Sequence, residues 1–123
     1  MTHRILVIDD DDGVRETIRL ALDEHVYQVI TAENGERGLS IFRSALPDLV
    51  ITDIVMPTME GLQTIRELRR LRPAVPIIAI SAGGRGGRHD FLEIARQLGA
   101  WEILVKPFDP DELVARIASC FAA

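Results

Sequence analysis

The segment Asp48-Leu49-Val50-Ile51-Thr52-Asp53-Ile54-Val55-Met56-Pro57 carries the strongest structural signal in the chain. Its β-branched apolar run, Leu49 to Thr52, has the length and composition of a strand buried on both faces of a sheet. Asp53 then stands at the carboxyl edge of that strand. Pro57 has no amide hydrogen for a ladder and steers Met56 away from helical geometry, so the chain turns there. One carboxylate is thereby held at the rim of a sheet. An acid in that place either caps the strand-to-helix loop or serves as a nucleophile, and Asp53 taken alone does not choose between the two.

The flanking sequence repeats the same grammar. Ile5 to Ile8 is a short apolar run closed by Asp9, Asp10, Asp11 and Asp12, and Val14, Ile18, Ala21 and Leu22 recur at helical spacing from about Gly13 to Glu24. Asp11 and Asp12 suit that helix's N-terminus, where the dipole favours acids. Tyr27 to Thr31 reads as a second strand, Asn34-Gly35 as a turn, and Leu39, Ile41, Phe42 and Ala45 as the buried face of a second helix ending before Pro47. Beyond the opening stretch, Leu62, Ile65, Leu68 and Leu71 describe a third helix stopped by Pro73. Ile77 to Ile80 is a fourth buried strand, and Ser81-Ala82-Gly83-Gly84-Arg85-Gly86-Gly87 follows it. Phe91, Ile94, Ala95 and Leu98 predict a fourth helix with Gly99 as its C-terminal cap. Ile103 to Val105 is a fifth strand, ending at Lys106-Pro107. In the last helix Asp109 is the cap, Pro110 the first residue and Glu112 the partner in a capping box, with Leu113, Ile117, Cys120 and Phe121 as the buried stripe. Five alternations of strand and helix, with short connections and no repeat or linker, predict one domain over residues 1–123. Its class is α/β, a parallel five-stranded sheet with five helices on both faces.

Composition narrows the functional classes. At 123 residues, 47% of them apolar, the chain is large enough to bury roughly two thirds of its unfolded surface. A net charge of −5 and a pI near 5.1 argue against nucleic-acid binding, which calls for a basic face. Cys120 is the sole cysteine, so neither an internal disulfide nor a cysteine metal site is available. The N-terminus has no secretory pattern and no apolar run reaches the ~20 residues of a membrane span. A cytoplasmic location is the expectation. His3, His25 and His89 show no metal-ligand spacing, and the glycine-rich segment lacks the lysine of a phosphate-binding P-loop. Arg66, Arg69, Arg70 and Arg72 are expected to form a solvated face. Lys106 is the one lysine beside 13 arginines, which suggests that this position wants a compact charge on a flexible stem.

Four strands end in a residue with chemistry: Asp9 and Asp10 after the first, Asp53 after the third, Ser81 after the fourth and Lys106 after the fifth. Parallel strands bring all of these to one edge, where ligands of open α/β sheets bind. Three carboxylates converging there call for a cation, and an all-oxygen donor set suits a hard ion such as Mg2+. An ammonium and a hydroxyl facing that ion match the remaining oxygens of a phosphoryl group. A carboxylate that accepts the group becomes an aspartyl phosphate. On this reading Asp53 is the nucleophile.

These residues resemble the receiver domain of bacterial two-component response regulators, the chemotaxis-type single-domain fold included. The resemblance is carried by Ile5-Leu6-Val7-Ile8-Asp9-Asp10-Asp11, Asp53-Ile54-Val55-Met56-Pro57 with Gly61, Ile80-Ser81-Ala82 and Lys106-Pro107-Phe108. It implies a doubly wound, flavodoxin-like sheet in the order 2-1-3-4-5. It implies that Asp53 accepts a phosphoryl group from a histidine kinase or phosphotransfer protein. Asp10, Asp53 and the Val55 carbonyl would ligate Mg2+, with Asp9 helping through water. Ser81 would bond the phosphate and carry the switch, Lys106 would pair with it, and the Lys106-Pro107 peptide would be cis. Ile103 stands where the family often places an aromatic residue, with Trp101 two positions away on the same face. Movement of the loop from Ala82 to Arg88 is therefore the expected switch. Val55 and Gly83 offer no polar side chain to position water, so self-hydrolysis of the phosphate is expected to be slow.

The function read from this is a phosphorylation-controlled signalling switch, not an enzyme, whose downstream protein target the sequence does not name. No output domain, no nucleic acid and no membrane contact are expected, and a homodimer is left open. Two other functions share parts of this pattern. A Mg2+-dependent phosphohydrolase would pair its nucleophile with a second acid two residues on, where Val55 stands. A receiver-like interaction module working without phosphate would not need the complete set of site residues.

Overall fold

The computed structural model describes residues 2–22, 24–54, 61–82, 93, 96–97 and 99–122. Strand β1 (His3–Ile8) is followed by helix α1 (Asp12–Ala21), β2 (Tyr27–Ala32), α2 (Gly35–Ala45), β3 (Leu49–Asp53), α3 (Gly61–Leu71), β4 (Ile77–Ala82), β5 (Glu102–Lys106) and α4 (Pro110–Ala122). The five strands form one parallel sheet in the order β2-β1-β3-β4-β5. Register places Ile8 beside Thr52, Asp53 beside Ile80 and Ala82 beside Lys106, so the carboxyl ends of β1, β3, β4 and β5 share one edge.

Period-two alternation divides the strands between two cores. Leu6, Ile8, Val50, Ile77 and Ala79 pack with Leu39 and Phe42 of α2 and Ile65 and Leu68 of α3. Ile5, Val7, Leu49, Ile51, Ile78 and Ile80 face the other way, onto Ile18 of α1 and Leu113, Ile117 and Cys120 of α4. The sheet is thus covered on both faces, as the unbroken apolar strands predict. At the edge opposite the site, Asp48 Oδ2 accepts the Arg4 amide hydrogen at 2.8 Å, and the His3 ring stacks on Phe121 of α4 with centroids 4.0 Å apart.

Several local expectations are corrected. Asn34-Gly35 is the start of α2 and not a free turn: the Asn34 side chain accepts the Arg37 amide hydrogen at 2.7 Å, and Gly35 is already helical. Helix α1 stops at Ala21, with Leu22 extended, short of the Glu24 boundary. The reading of Asp11 and Asp12 as helix N-terminal acids holds: Asp11 caps α1 by accepting from Gly13 and Val14, and Asp12 lies within the first turn. Asp109 caps α4 through the Asp111 amide at 2.9 Å, but the Glu112 carboxylate lies 3.6 Å from Arg116 instead of closing a capping box. The arginine face is only half solvated. Arg69 donates to the carbonyls of Pro73, Val75 and Gly99, and Arg72 donates to Pro47 O at 2.6 Å while lying over the Phe42 ring. Arg66 and Arg70 are exposed as expected.

Four helices are complete among the described residues. Phe91, Ile94, Ala95 and Leu98, which carry the expected helix between β4 and β5, lie outside them, although Glu93, Arg96 and Gln97 have helical backbone. Gly99 has φ +92° and donates its amide hydrogen to Arg96 O at 3.0 Å, the left-handed cap that its sequence position predicts. The Lys106-Pro107 peptide is cis. Among the described residues no helix is long and apolar enough to cross a membrane.

Candidate functional site

Asp53 is the last residue of β3 and is only 4% exposed. Two backbone bonds fix the chain just beyond it. Ile54 donates its amide hydrogen to Ile80 O of β4 at 2.8 Å, and Gly61 donates to Ile54 O at 2.6 Å, which brings the start of α3 back over the strand end. The approach is so close that a Cβ on Gly61 would lie 2.1 Å from Asp53 O and 2.3 Å from the Ile54 Cα. Only glycine fits there. This explains at the atomic level why Gly61 accompanies the Asp53 segment.

Asp9 leaves β1 at the same edge, fully buried, with its amide hydrogen on Ala32 O at 3.1 Å and its Oδ1 accepting the Asp11 amide hydrogen at 2.9 Å. Asp10 is exposed. Carboxylate oxygens of Asp9, Asp10 and Asp53 all lie within 4.8 Å of one another. Lys106, at the end of β5, reaches into this group: its Nζ stands 2.8 Å from Asp53 Oδ2 and 2.9 Å from Asp9 Oδ2. Ser81 is buried on β4, one position beyond Ile80, the register partner of Asp53. Asp9, Asp10, Asp53 and Lys106 are therefore brought together as the strand-end pattern requires, with Ser81 on the same edge. Val55, expected to add a carbonyl ligand, lies outside the described residues, as do Gly83 to Arg88 of the expected switch loop.

The electrostatics follow from burial. Loss of solvent pushes the Asp9 carboxyl above its ordinary range; Lys106 and the Asp11 amide act against this, and the Asp53 charge adds to it. For Lys106, burial opposes the charge, but pairing with Asp53 and Asp9 outweighs it and lifts the ammonium above the usual lysine value. Lys106 is therefore a full cation at neutral pH. Asp9 Oδ2 is a buried carboxylate oxygen with no aligned hydrogen bond among the described residues, only the ion pair with Lys106. A buried anionic oxygen held only by the Lys106 ion pair, two more carboxylates within reach and an all-oxygen donor set fit a hard divalent cation.

Sequence reading did not single out Arg15. Its Nη1 donates to the Asp9 backbone carbonyl at 2.6 Å and its Nη2 pairs with the Asp12 carboxylate. The one signal available was the i, i+3 spacing of Asp12 and Arg15 on the first turn of α1. Beside Lys106 there is also a largely apolar depression of about 460 Å3, lined by Val14, Thr17, Pro107 and Phe108. A larger one of about 580 Å3, bordered by Arg19, Leu22 and Tyr27, lies at the opposite edge of the sheet, away from the acids.

A doubly wound sheet with buried acids and a bridging lysine at its carboxyl edge belongs to the open α/β class, whose ligand sites lie at the switch point of the sheet. Residues 5–118 match the response regulator receiver domain, and the chain belongs to this family of two-component signalling proteins. It is 44% identical over 117 residues to the probable transcriptional regulator ycf27 of Porphyra purpurea, covering 95% of this chain but 46% of that protein, so it spans about half the length of that relative. It is 35% identical over 119 residues to protein PilH of Pseudomonas aeruginosa, covering 97% of this chain and 98% of PilH. Among solved structures, a chain of Chloroflexus aurantiacus assigned as a response regulator superposes with a TM-score of 0.90 at 33% identity over the full length of both chains. The chemotaxis response regulator CheY4 of Vibrio cholerae gives 0.84 at 26% identity, covering 97% of this chain and 98% of that one.

Proposed function

We propose that this receiver domain is a phosphorylation-controlled switch in which Asp53 accepts a phosphoryl group from a histidine kinase or phosphotransfer protein. An Asp53 carboxylate oxygen forms the new O–P bond as the donor's N–P bond breaks, leaving the donor histidine neutral and Asp53 as a mixed anhydride. The observation that carries the reading is the Lys106 ammonium, 2.8 Å from Asp53 and 2.9 Å from Asp9 at the sheet edge. It stands ready to neutralise the oxygens of a group arriving on Asp53. Asp9, Asp10 and Asp53, together with the Val55 carbonyl, would hold Mg2+, which supplies charge neutralisation to the transferred group when bound. Ser81 would take a phosphate oxygen and relay the change. The protein is thus a partner in transfer and not an enzyme turning over a separate substrate.

The output of the switch is altered affinity for another protein, with a cytoplasmic location and no direct nucleic-acid or membrane contact. The depression beside Lys106 supports an apolar docking contact close to the reacting carboxylate. Intact-mass spectrometry with Mg2+ and acetyl phosphate tests the reading. One added phosphate on the wild type and none on Asp53→Asn supports it. Equal phosphorylation of both proteins, or of neither, removes Asp53 from its assigned role.

A further inference from the structure

Besides the ion pair of its Oδ2 with Lys106, Asp9 is fixed at its other three polar groups. Its amide hydrogen goes to Ala32 O (3.1 Å), its Oδ1 accepts from Asp11 (2.9 Å), and its backbone carbonyl accepts from Arg15 Nη1 (2.6 Å). Asp10 is different: it is exposed, and its carboxylate enters no hydrogen bond or ion pair among the described residues. Yet one of its oxygens lies within 4.8 Å of oxygens of Asp9 and Asp53. With no side-chain partner among the described residues, Asp10 is held through its backbone, and the Asp9 carbonyl belongs to the peptide that leads into it.

Arg15 is therefore anchored at a telling point. Its side chain is only 18% exposed, whereas Asp12, gripped by its other Nη, is 92% exposed. A planar guanidinium can hold a carbonyl with one nitrogen and a carboxylate with the other at a fixed separation, which a lysine ammonium cannot do. The Arg15 amide also donates to Asp11 O at 3.1 Å, tying the same turn to the start of α1.

We propose that Arg15, with Asp12 as its counter-ion, is a positioning residue for the divalent-cation site: it fixes the Asp9–Asp10 peptide and so sets Asp10 where it can ligate the ion. The inference rests on the Mg2+ reading above. Its sign distinguishes it from a charge effect. A cation close to the site repels Mg2+, so if charge were all that Arg15 contributed, deleting it would tighten binding. Positioning has the opposite consequence.

The test is calorimetric titration of Mg2+ into wild type, Arg15→Gln and Arg15→Lys, with amide hydrogen exchange read at Asp10 and Asp11 in the same metal-free proteins. Both variants keep the helix propensity of the parent, and Arg15→Lys keeps its charge as well. The expected result is a loss of Mg2+ affinity of about tenfold in Arg15→Gln, a smaller loss in Arg15→Lys, and faster exchange of both amides. Either variant binding Mg2+ as tightly as wild type overturns the positioning role while leaving the proposed function standing. A wild type that takes up no Mg2+ overturns both.

Discussion

With its ammonium 2.8 Å from Asp53 and 2.9 Å from Asp9, Lys106 offsets charges that would otherwise repel across the sheet edge. Lys106→Met leaves those carboxylates facing each other, and we expect a loss of about 2 kcal/mol at pH 7 by urea unfolding, below the usual figure for a broken buried pair because the lysine is partly solvated. Asp9 gives the pH dependence. Its carboxyl is raised from the ordinary value of 3.8, so the folded protein holds that proton more tightly than the unfolded chain does. The stability this contributes is present below 3.8 and is lost as pH rises through the raised value. At neutral pH the buried charge is a net cost in the metal-free protein. Asp9→Asn should accordingly melt at a higher temperature than wild type at pH 7 without Mg2+, with the gap narrowing as pH falls towards 4. A lower melting temperature for Asp9→Asn at pH 7 would contradict this. Asp9, Asp53, Ser81 and Lys106 were legible in the sequence because each follows an apolar run that could only be a buried strand. Arg15 was not, because what it holds is a backbone carbonyl, and a carbonyl leaves no mark on a sequence.

Among the elements, α3 depends on its first residue. In Gly61→Ala the new methyl would meet Asp53 O and the Ile54 Cα, so the helix start must withdraw from β3. We expect a loss of about 3 kcal/mol in urea unfolding, the upper range for forcing a methyl into a packed site, together with slower phosphorylation by acetyl phosphate. Helix α2 ends less favourably. Leu46 is its cap residue with φ 50°, a left-handed conformation, yet the residue is 61% exposed and so secures little burial in return. Leu46→Gly should therefore stabilise the protein by about 0.5–1 kcal/mol, measured in the same way. The strands were readable to within a residue or two, since each is a β-branched run bounded by polar or turn residues. The helix starts were less so: Asn34-Gly35 has the same chemistry in a turn and in an N-cap, and only the Arg37 amide it accepts decides between them. The ties made by Arg69 and Arg72 escaped notice because they close on carbonyls as distant as Pro47 and Gly99.

At the scale of the whole molecule, sheet order turns these local facts into a site. The arrangement β2-β1-β3-β4-β5 sets β3 between β1 and β4, so acids 44 positions apart in the sequence, Asp9 and Asp53, end at one rim, and β5 delivers Lys106 to it. β2 lies at the margin and ends at Ala32 without a reactive group, as the sequence implied. Because the site is assembled only in the folded chain, Mg2+ should stabilise it by mass action, about 2.7 kcal/mol when the ion is at 100 times its dissociation constant. Asp10→Asn should lose most of that gain, as read from melting temperatures with and without Mg2+. The most direct test of the central claim is to reduce the acetyl-phosphate-treated protein with borohydride, which converts an acyl phosphate to an alcohol, and to map the product by peptide mass. Homoserine in place of aspartate at position 53 alone is the predicted result; homoserine at position 9 or 10, or at no position, would contradict it.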